Sequence, residues 1–308
     1  MITCLKLKRH PGVFLKMTGL RVAEFDGWIA PVLRRFAEAE AARLTQRPRQ
    51  RALGGGDHAT LAPIDQILLT LMWLRLYPTH NVLGFLFGVS QPTVGRYLAH
   101  VLPVLEQRGI DTLRQPDPGR KRRRSLPDLL QDVPELYVIV DSFEQPVQRP
   151  KTAGERKAWF SGKKRSATLK VQITVQPTTG AIVDVSDSVP GPTADITLLK
   201  QSGVLAALPP GIGCLGDGAY QGIARLHPLG RSPCKRNKHS PPLTDDQIAY
   251  NHAFSSVRII VENTLCRLRH FQCLSQRDRQ HRCRLNHHAR TCAVAGLVNY
   301  QLQQRFAA

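Results

Sequence analysis

The chain has no long apolar run. Across its 308 residues the longest apolar run near the start is Val13–Leu15, and the stretch Ile67–Leu76 is interrupted by Thr70 and Arg75. Neither a signal peptide nor a membrane span is present in that pattern, which points to a cytoplasmic protein with no membrane partner. Cysteine is equally unhelpful to an extracellular reading, because seven residues, an odd number with no CxxC pair, do not make a disulfide framework. Cys266, His270, Cys273, His281 and Cys283 fall close in sequence, but their spacings match no standard zinc site, and no metal is assigned to them. A Walker loop, a nucleophile elbow and a dinucleotide fingerprint are all missing, so an NTPase, a serine hydrolase or an oxidoreductase lacks support. Aromatic residues make up only 6% of the chain, too few to form the stacking platform of an RNA-binding module.

Acidic residues are scarce as well. Twenty-three Asp and Glu stand against 43 Lys and Arg, a formal charge of +20 whose field attracts polyanions. A merely basic soluble protein or a membrane-surface binder would share this excess, but its distribution favours a long DNA duplex. Cations cluster at Arg120–Arg124, between Arg156 and Lys170, and through Arg267, Arg269, Arg277, Arg279, Arg282, Arg284 and Arg290. Several patches on separate elements suit double-stranded DNA better than one basic tail would.

The periodicity of apolar residues divides the chain. Over 12–47 Val22, Phe25, Trp28, Ile29, Val32, Leu33 and Phe36 recur at helical spacing, and a basic, glycine-rich connector follows to His58. A strongly apolar helix is predicted over Ala62–Leu76, a short one over Asn81–Phe87, and a third beginning near Ser90, with Ser90 as N-cap and Pro92 in the first turn. In the third helix Val94, Leu98, Val101 and Leu102 share an inward stripe. Gln91, Thr93, Arg96 and His100 are left on the other side, where Gln91, Thr93 and Arg96 would read base edges in a major groove. An ordinary helical bundle with a solvated face gives the same pattern.

Arg114–Pro134, rich in Pro, Arg and Lys, reads as an exposed linker. The pattern then changes. Leu136–Val140 is a short β-branched run, Thr168–Val175 and Ala181–Val185 alternate around a turn at Thr178, Thr179 and Gly180, and Ile212–Leu215 is a fourth strand candidate. Helices are predicted at Asp195–Leu208, Asp245–Asn251, Ser255–His270 and His288–Gln304. Strands interleaved with helices imply an α/β class with a mixed sheet. The domains so read are a helical region 1–58, a helix-turn-helix domain 59–112, a basic linker 113–133 and an α/β domain 134–308.

Three acids stand out in that last domain. Asp141 and Asp217 directly follow buried-strand runs, at the strand ends where α/β sheets hold ligands, and Gly218 beside Asp217 would let a substrate backbone approach. Glu262 lies within a predicted helix, with Arg258 and Arg269 at i−4 and i+7 on the same face. A solvated Arg258–Glu262 pair is the ordinary alternative there. Asp184 and Asp187 flank the hairpin, and Asp195 reads as a helix N-cap. Two strand-end aspartates and a helical glutamate form a hard-oxygen set suited to Mg²⁺, and two such ions serve in-line displacement at phosphorus.

At these residues the chain resembles the DDE transposases of bacterial insertion sequences, the IS-five-type group with a helix-turn-helix front end, over nearly its whole length. The front pattern is carried by LLTLMWLRLY at 68–77 and FGVSQPTV at 87–94. The three catalytic blocks are carried by VIVDSFEQPVQRP at 138–150, LGDGAYQG at 215–222 and RIIVENTLCRLR at 258–269, the last with a specific R-x3-E-x6-R spacing. The resemblance implies an RNase H-like mixed sheet with flanking helices, behind an all-α helix-turn-helix domain. It gives Asp141, Asp217 and Glu262 the catalytic and metal-holding roles, with two Mg²⁺ ions, or Mn²⁺ as substitute. It also implies binding to terminal inverted repeats and action as a homo-oligomer on transposon ends and target DNA, in the cytoplasm at the nucleoid.

Lys163, Lys164, Arg258 and Arg269 are then candidates to hold the DNA backbone. The chain departs from the family pattern at Ser255, where a Tyr is common, and at Ser166 and Ala167, where a His is expected nearby. A non-catalytic DNA-binding regulator with the same ancestry is the rival reading, separable by metal-dependent cleavage.

Overall fold

The computed structural model describes residues 1–45, 59–117, 130, 133–236, 241–279 and 283–307, with side chains of the last segment described over 286–305. The glycine-rich connector read at 47–58, the arginine run 120–124, His281 and Arg282 lie outside the described residues. Contacts divide the chain into two units. One comprises 1–111, 269–276 and 289–308, and the other comprises 112–268 and 277–288. The sequence reading placed 134–308 in one α/β domain, whereas by these contacts 269–276 and 289–308 group with the N-terminal helices.

In the first unit the helical period read over 12–47 resolves into α2 (Pro11–Thr18) and α3 (Val22–Thr45), preceded by a short helix, α1 (Cys4–Lys8), that the sequence reading did not include. Phe25, Trp28, Ile29, Val32 and Phe36 of α3 are buried as their spacing predicts, while Val22 and Leu33 are only partly covered. Gly19, at φ +82, ends α2 in the left-handed conformation that glycine adopts without steric cost. Then follow α4 (Pro63–Leu76), α5 (His80–Phe87) and α6 (Gln91–Ile110), close to the predicted bounds. Helix α4 is buried at every position from Gln66 to Leu74, as a helix apolar all round must be. Ser90 caps α6 by accepting a hydrogen bond from the Thr93 amide, and Pro92 sits in its first turn. The α5–α6 turn is so tight that a Cβ at Gly84 would stand 2.5 Å from the Val89 carbonyl oxygen.

Helix α6 crosses the middle of α13 (Cys283–Ala307) backbone to backbone. A Cβ on Gly109 would lie 2.0 Å from the Cys292 carbonyl oxygen, and one on Gly296 would lie 2.5 Å from the Gly109 Cα. Arg290 of α13, counted in the sequence among the surface cations, is fully buried. Its guanidinium lies 5.9 Å from the ring centroids of both Trp73 and Tyr77 and donates to the Tyr77 hydroxyl at 3.4 Å. It is a core residue and not a DNA contact, because two aromatic faces satisfy the cation in place of water.

The second unit is built on a mixed sheet. Its strands are β1 (Tyr137–Pro146), β2 (Phe160–Ser161), β3 (Ser166–Val175), β4 (Ile182–Val185), β5 (Val189–Pro190), β6 (Gly213–Gly216) and β7 (Gly230–Arg231). The order is β2-β3-β1-β6-β7, with β4 and β5 also on β3. Strand β1 is antiparallel to β3 and parallel to β6, and the Gly180 turn joins β3 to β4 as expected. Between the strands run α7 (Ala153–Trp159), α8 (Asp195–Ser202), α9 (Val204–Ala207) and α10 (Ile223–Leu226); after the last strand come α11 (Asp245–Arg269) and, grouped with the first unit, α12 (Gln272–Ser275).

Two predicted elements change. The helix expected over Asp195–Leu208 breaks at Gly203, φ +73, into α8 and α9. The two helices expected over 245–251 and 255–270 are one helix, α11, since no glycine or proline interrupts 251–255 and Phe254 anchors the junction in the core.

Both faces of the sheet are covered. Val138, Val140 and Cys214 pack with Leu199, Val204, Leu208 and Tyr220 on one side. On the other, Thr264 of α11 donates to the Gly180 carbonyl at 3.0 Å, and the Phe143 ring lies 6.3 Å from that of His287. The polar alternate residues of β3, Thr168, Lys170, Gln172 and Thr174, are therefore buried as well.

Two measurements check this packing. Gly109→Ala is expected to destabilise the protein by about 2 kcal/mol or more in denaturant unfolding, because backbone faces backbone and neither helix can yield. Burial raises the Asp184 carboxyl to about 6, with His288 opposing and Asp187 reinforcing the shift. An acid whose folded value is raised loses stability as pH climbs from about 4 to about 6, and the cost persists above that range. Asp184→Asn should therefore raise stability at pH 7.5 by about 1–3 kcal/mol and bring no gain below pH 4; an equal gain at both pH values would contradict the ionisation account.

Candidate active site

The register of β1 and β6 fixes the first two acids. Their pairing ends at Val140 opposite Gly216, so Asp141 and Asp217 are the next residues on neighbouring parallel strands, about 5 Å apart at strand spacing. Sequence reasoning set Asp141 at the end of its strand; in the structure β1 continues to Pro146 along β3, and what ends at Val140 is the β6 pairing alone. Beyond Gly216 the chain folds into a short 3₁₀ turn, Gly218–Tyr220, and a Cβ on Gly216 would collide with Tyr220 at 2.6 Å. Asp217 caps this turn, its Oδ1 accepting from the Ala219 amide at 2.9 Å. Among the described residues, nothing lies within 4 Å of the Cβ position of Gly218.

Helix α11 brings the third acid. Arg258 Nη2 stands 3.3 Å from Asp141 Oδ2, 3.9 Å from Asp217 Oδ2 and 4.0 Å from Glu262 Oε1. One nitrogen is thus shared by three carboxylates drawn from two strands and a helix. The side chains grade from enclosed to open, with relative exposures of 15% for Asp141, 31% for Asp217 and 59% for Glu262. Asp141 Oδ1 also accepts from the Ser142 amide at 2.7 Å. Burial raises the Asp141 carboxyl to about 6; the Ser142 amide and Arg258 oppose this, and Asp217 and Asp195 add to it. The local charge is three carboxylates to one guanidinium, and oxygen is the only donor atom the acids offer. That set fits hard divalent cations of the magnesium class at the position the guanidinium now neutralises. Among the described residues no three acidic, imidazole or thiol groups are already closed on an ion-sized space.

A second polar layer supports Asp141, and sequence reasoning missed it. Asp195 was read as the N-cap of α8, but Ala194 occupies that position and Asp195 is the first helical residue. Its Oδ1 instead accepts from the Ser142 hydroxyl at 2.8 Å and lies 2.8 Å from Lys170 Nζ. Lys170 also donates to the Thr193 carbonyl and lies 3.9 Å from Glu144, whose other oxygen accepts from Thr168. The Tyr220 hydroxyl is buried beside them. Burial first, and Asp195, Asp141 and Asp217 next, raise it well above its ordinary range, so it stays protonated. The alternation of polar residues in β3 was the available signal; only the covered second face reveals that they are buried.

The expected DNA contacts separate into groups. Gln91 and Arg96 are exposed on α6, while Thr93, half-buried, accepts from Arg96 Nη2 at 2.9 Å and lies 2.9 Å from the Ser90 hydroxyl. His100 was read as available on the same side, but it turns toward Glu40 of α3, 3.5 Å away, so it is not available. Lys163 and Lys164 are exposed at the β2–β3 hairpin tip. Arg258 lies inside the carboxylate cluster. Arg269, expected to flank Glu262, ends α11 about 10 Å further along the helix axis and belongs to the first unit.

Because Arg258 supplies the positive charge that the acids require, Arg258→Gln is expected to tighten Mn²⁺ binding several-fold by paramagnetic titration while slowing cleavage. Unchanged Mn²⁺ affinity would show that the guanidinium does not compete for the site.

Two family profiles and two curated relatives match the chain. The profile described as DDE superfamily endonuclease matches residues 140–299, and that of the helix-turn-helix of DDE superfamily endonuclease matches residues 59–110. The chain is 31% identical over 239 residues, 77% of its length and 80% of the relative's, to a protein of Microchaete diplosiphon named as a transposase for insertion sequence element IS702. It is 27% identical over 281 residues, 89% of its length and 94% of the relative's, to one of Streptomyces albus G named as a transposase for insertion sequence element IS112. No solved structure matches. The chain therefore belongs to the DDE superfamily of endonucleases, its α/β catalytic region preceded by that family's helix-turn-helix.

Proposed function

We propose that the protein is the transposase of a bacterial insertion sequence of the IS-five-type group, and that Asp141, Asp217 and Glu262 form its cutting centre. The observation that carries this reading is the meeting of those three carboxylates on the single Arg258 nitrogen. They would hold two Mg²⁺ ions, with Mn²⁺ as substitute, and such ions supply Lewis-acid activation of the attacking oxygen and stabilisation of the leaving one. Arg258 would then pass from the acids to a non-bridging phosphate oxygen, a charge-assisted contact. Lys163 and Lys164 from the hairpin tip and Arg269 would hold further phosphates. Lys170, Asp195 and Ser142 keep Asp141 in place through the Ser142 amide, and so act as positioning residues.

The helix-turn-helix would locate the terminal inverted repeats, with Gln91, Thr93 and Arg96 of α6 reading base edges and the basic linker over 113–133 holding backbone. Hydrolysis of one phosphodiester frees a 3′-hydroxyl, which then attacks target DNA by the same in-line route. A homo-oligomer assembled on paired ends would bring both ends to one target, at the nucleoid. No helix among the described residues is long and apolar enough to cross a membrane.

The test is cleavage of a supercoiled plasmid carrying the element's own ends, with and without Mg²⁺. Wild-type protein is expected to cut at the ends only with the metal. Asp217→Ala should bind those ends within about two-fold of wild type, since excess positive charge supplies most of the affinity, and cut at least 1,000-fold more slowly, on the order of what a lost charge-stabilising group costs. Binding by both without cutting under any divalent ion would leave a DNA-binding regulator as the function.

A further inference from the structure

A second concave surface lies at the far end of β1. Val147, just beyond that strand, pairs with Asp278, whose amide donates to the Pro146 carbonyl at 2.8 Å, and this bridge seats Arg277 beside the strand end. From the same end the chain turns through Arg149 and Pro150 into α7, which has no buried residue, and then enters β2 at Phe160. The result is a groove of about 590 Å³ lined by Arg149, Arg156, Lys157, Phe160, Arg165 and Arg277. Among the described residues, five cations and no carboxylate line it. Phe160 remains 52% exposed within it, although its β3 partner Ala167 is partly covered. Arg165 takes φ +49, a left-handed conformation rare for a residue with a side chain.

We propose that this groove binds a single strand of DNA, with one unpaired base stacked on Phe160 and the flanking phosphates held by Arg149, Arg156, Lys157, Arg165 and Arg277. Each half of the lining points to one half of a nucleotide. Guanidinium groups grip phosphate in a fixed fork, and an exposed aromatic face among cations is the combination by which proteins hold unpaired bases. A paired duplex would offer phosphates but no open base face, and it is too wide for a concavity whose volume suits one or two nucleotides. The groove begins six residues beyond Asp141 on the same strand line, about 20 Å away. That is about six nucleotides at duplex spacing, so a strand leading from the cutting centre would reach it with a short frayed segment. The groove is separate from the carboxylates and needs no metal, so it is testable whether or not they cut.

The experiment uses full-length Asp217→Ala protein in chelator, a ten-nucleotide thymidine strand bearing a fluorophore, and a duplex carrying a single unpaired 2-aminopurine. Phe160→Ala is expected to weaken binding of the strand about 10-fold, with 2-aminopurine quenching lost, while Phe160→Trp restores both and excludes a folding defect. Arg149→Ala and Arg165→Ala should each lower the salt dependence of strand binding by a little under one unit of slope. Binding of a fully paired end duplex should stay within two-fold throughout. Unchanged strand binding by Phe160→Ala, or equal losses on strand and duplex, would overturn the proposal. Tighter binding of the corresponding uridine strand would overturn the assignment to DNA.

Discussion

Carboxylates that approach within a few ångströms repel one another unless positive charge lies between them, and the second unit is organised around that requirement. Asp141 is enclosed, Asp217 is half open and Glu262 reaches in from a helix with most of its side chain in solvent. A single guanidinium nitrogen neutralises all three at distances of 3.3–4.0 Å. The cost of burying Asp141 shows in its proton affinity, which is raised although the Ser142 amide and Arg258 both favour the charged form. An arrangement with surplus negative charge and only oxygen donors suits hard cations, and the Arg258 guanidinium sits among the three acids.

The same constraint explains the second polar layer. Sheet residues that alternate with the apolar core ordinarily meet water, but in β3 they meet α8 and the neighbouring strand. Lys170 is tolerable there because Asp195 and the Thr193 carbonyl receive its protons, with Glu144 near by. Asp195 in turn is tolerable beside Asp141 because Lys170 and the Ser142 hydroxyl engage it. A buried ionic network is weak evidence of stability, since desolvation offsets much of the Coulomb gain. Its geometric effect is clearer: Ser142 is held by its hydroxyl on one side of the sheet while its amide fixes Asp141 on the other.

The first unit depends on close backbone contact instead of charge. Gly84 permits the tight α5–α6 turn, and Gly109 with Gly296 lets α6 and α13 touch. Gln91 and Arg96 therefore stand on a helix that is immobilised by packing along its length and capped by Ser90 at its start. Rigid presentation of a few exposed side chains is what sequence reading in a DNA groove demands.

The sequence by itself determined most of the local structure and singled out the three acids that the fold brings together. Helical periodicity, Ser90 before Pro92, the Gly180 turn and the β-branched run before Asp141 are short-range signals, and each acts within a few residues of its cause. The family motifs marked Asp141, Asp217 and Glu262 in the same way. Tertiary structure decided what depends on distant partners. The convergence of residues 141, 217, 258 and 262 needs β1–β6 pairing and the run of α11 across the sheet, and the burial of Lys170 needs a second covered face. Asp195 was taken for a helix cap because its immediate neighbours suggest one, whereas its partner Lys170 lies 25 residues away. Arg290 read as a surface cation because charge is normally solvated, whereas the Trp73 and Tyr77 rings contributed by α4 and the residue after it favour its burial.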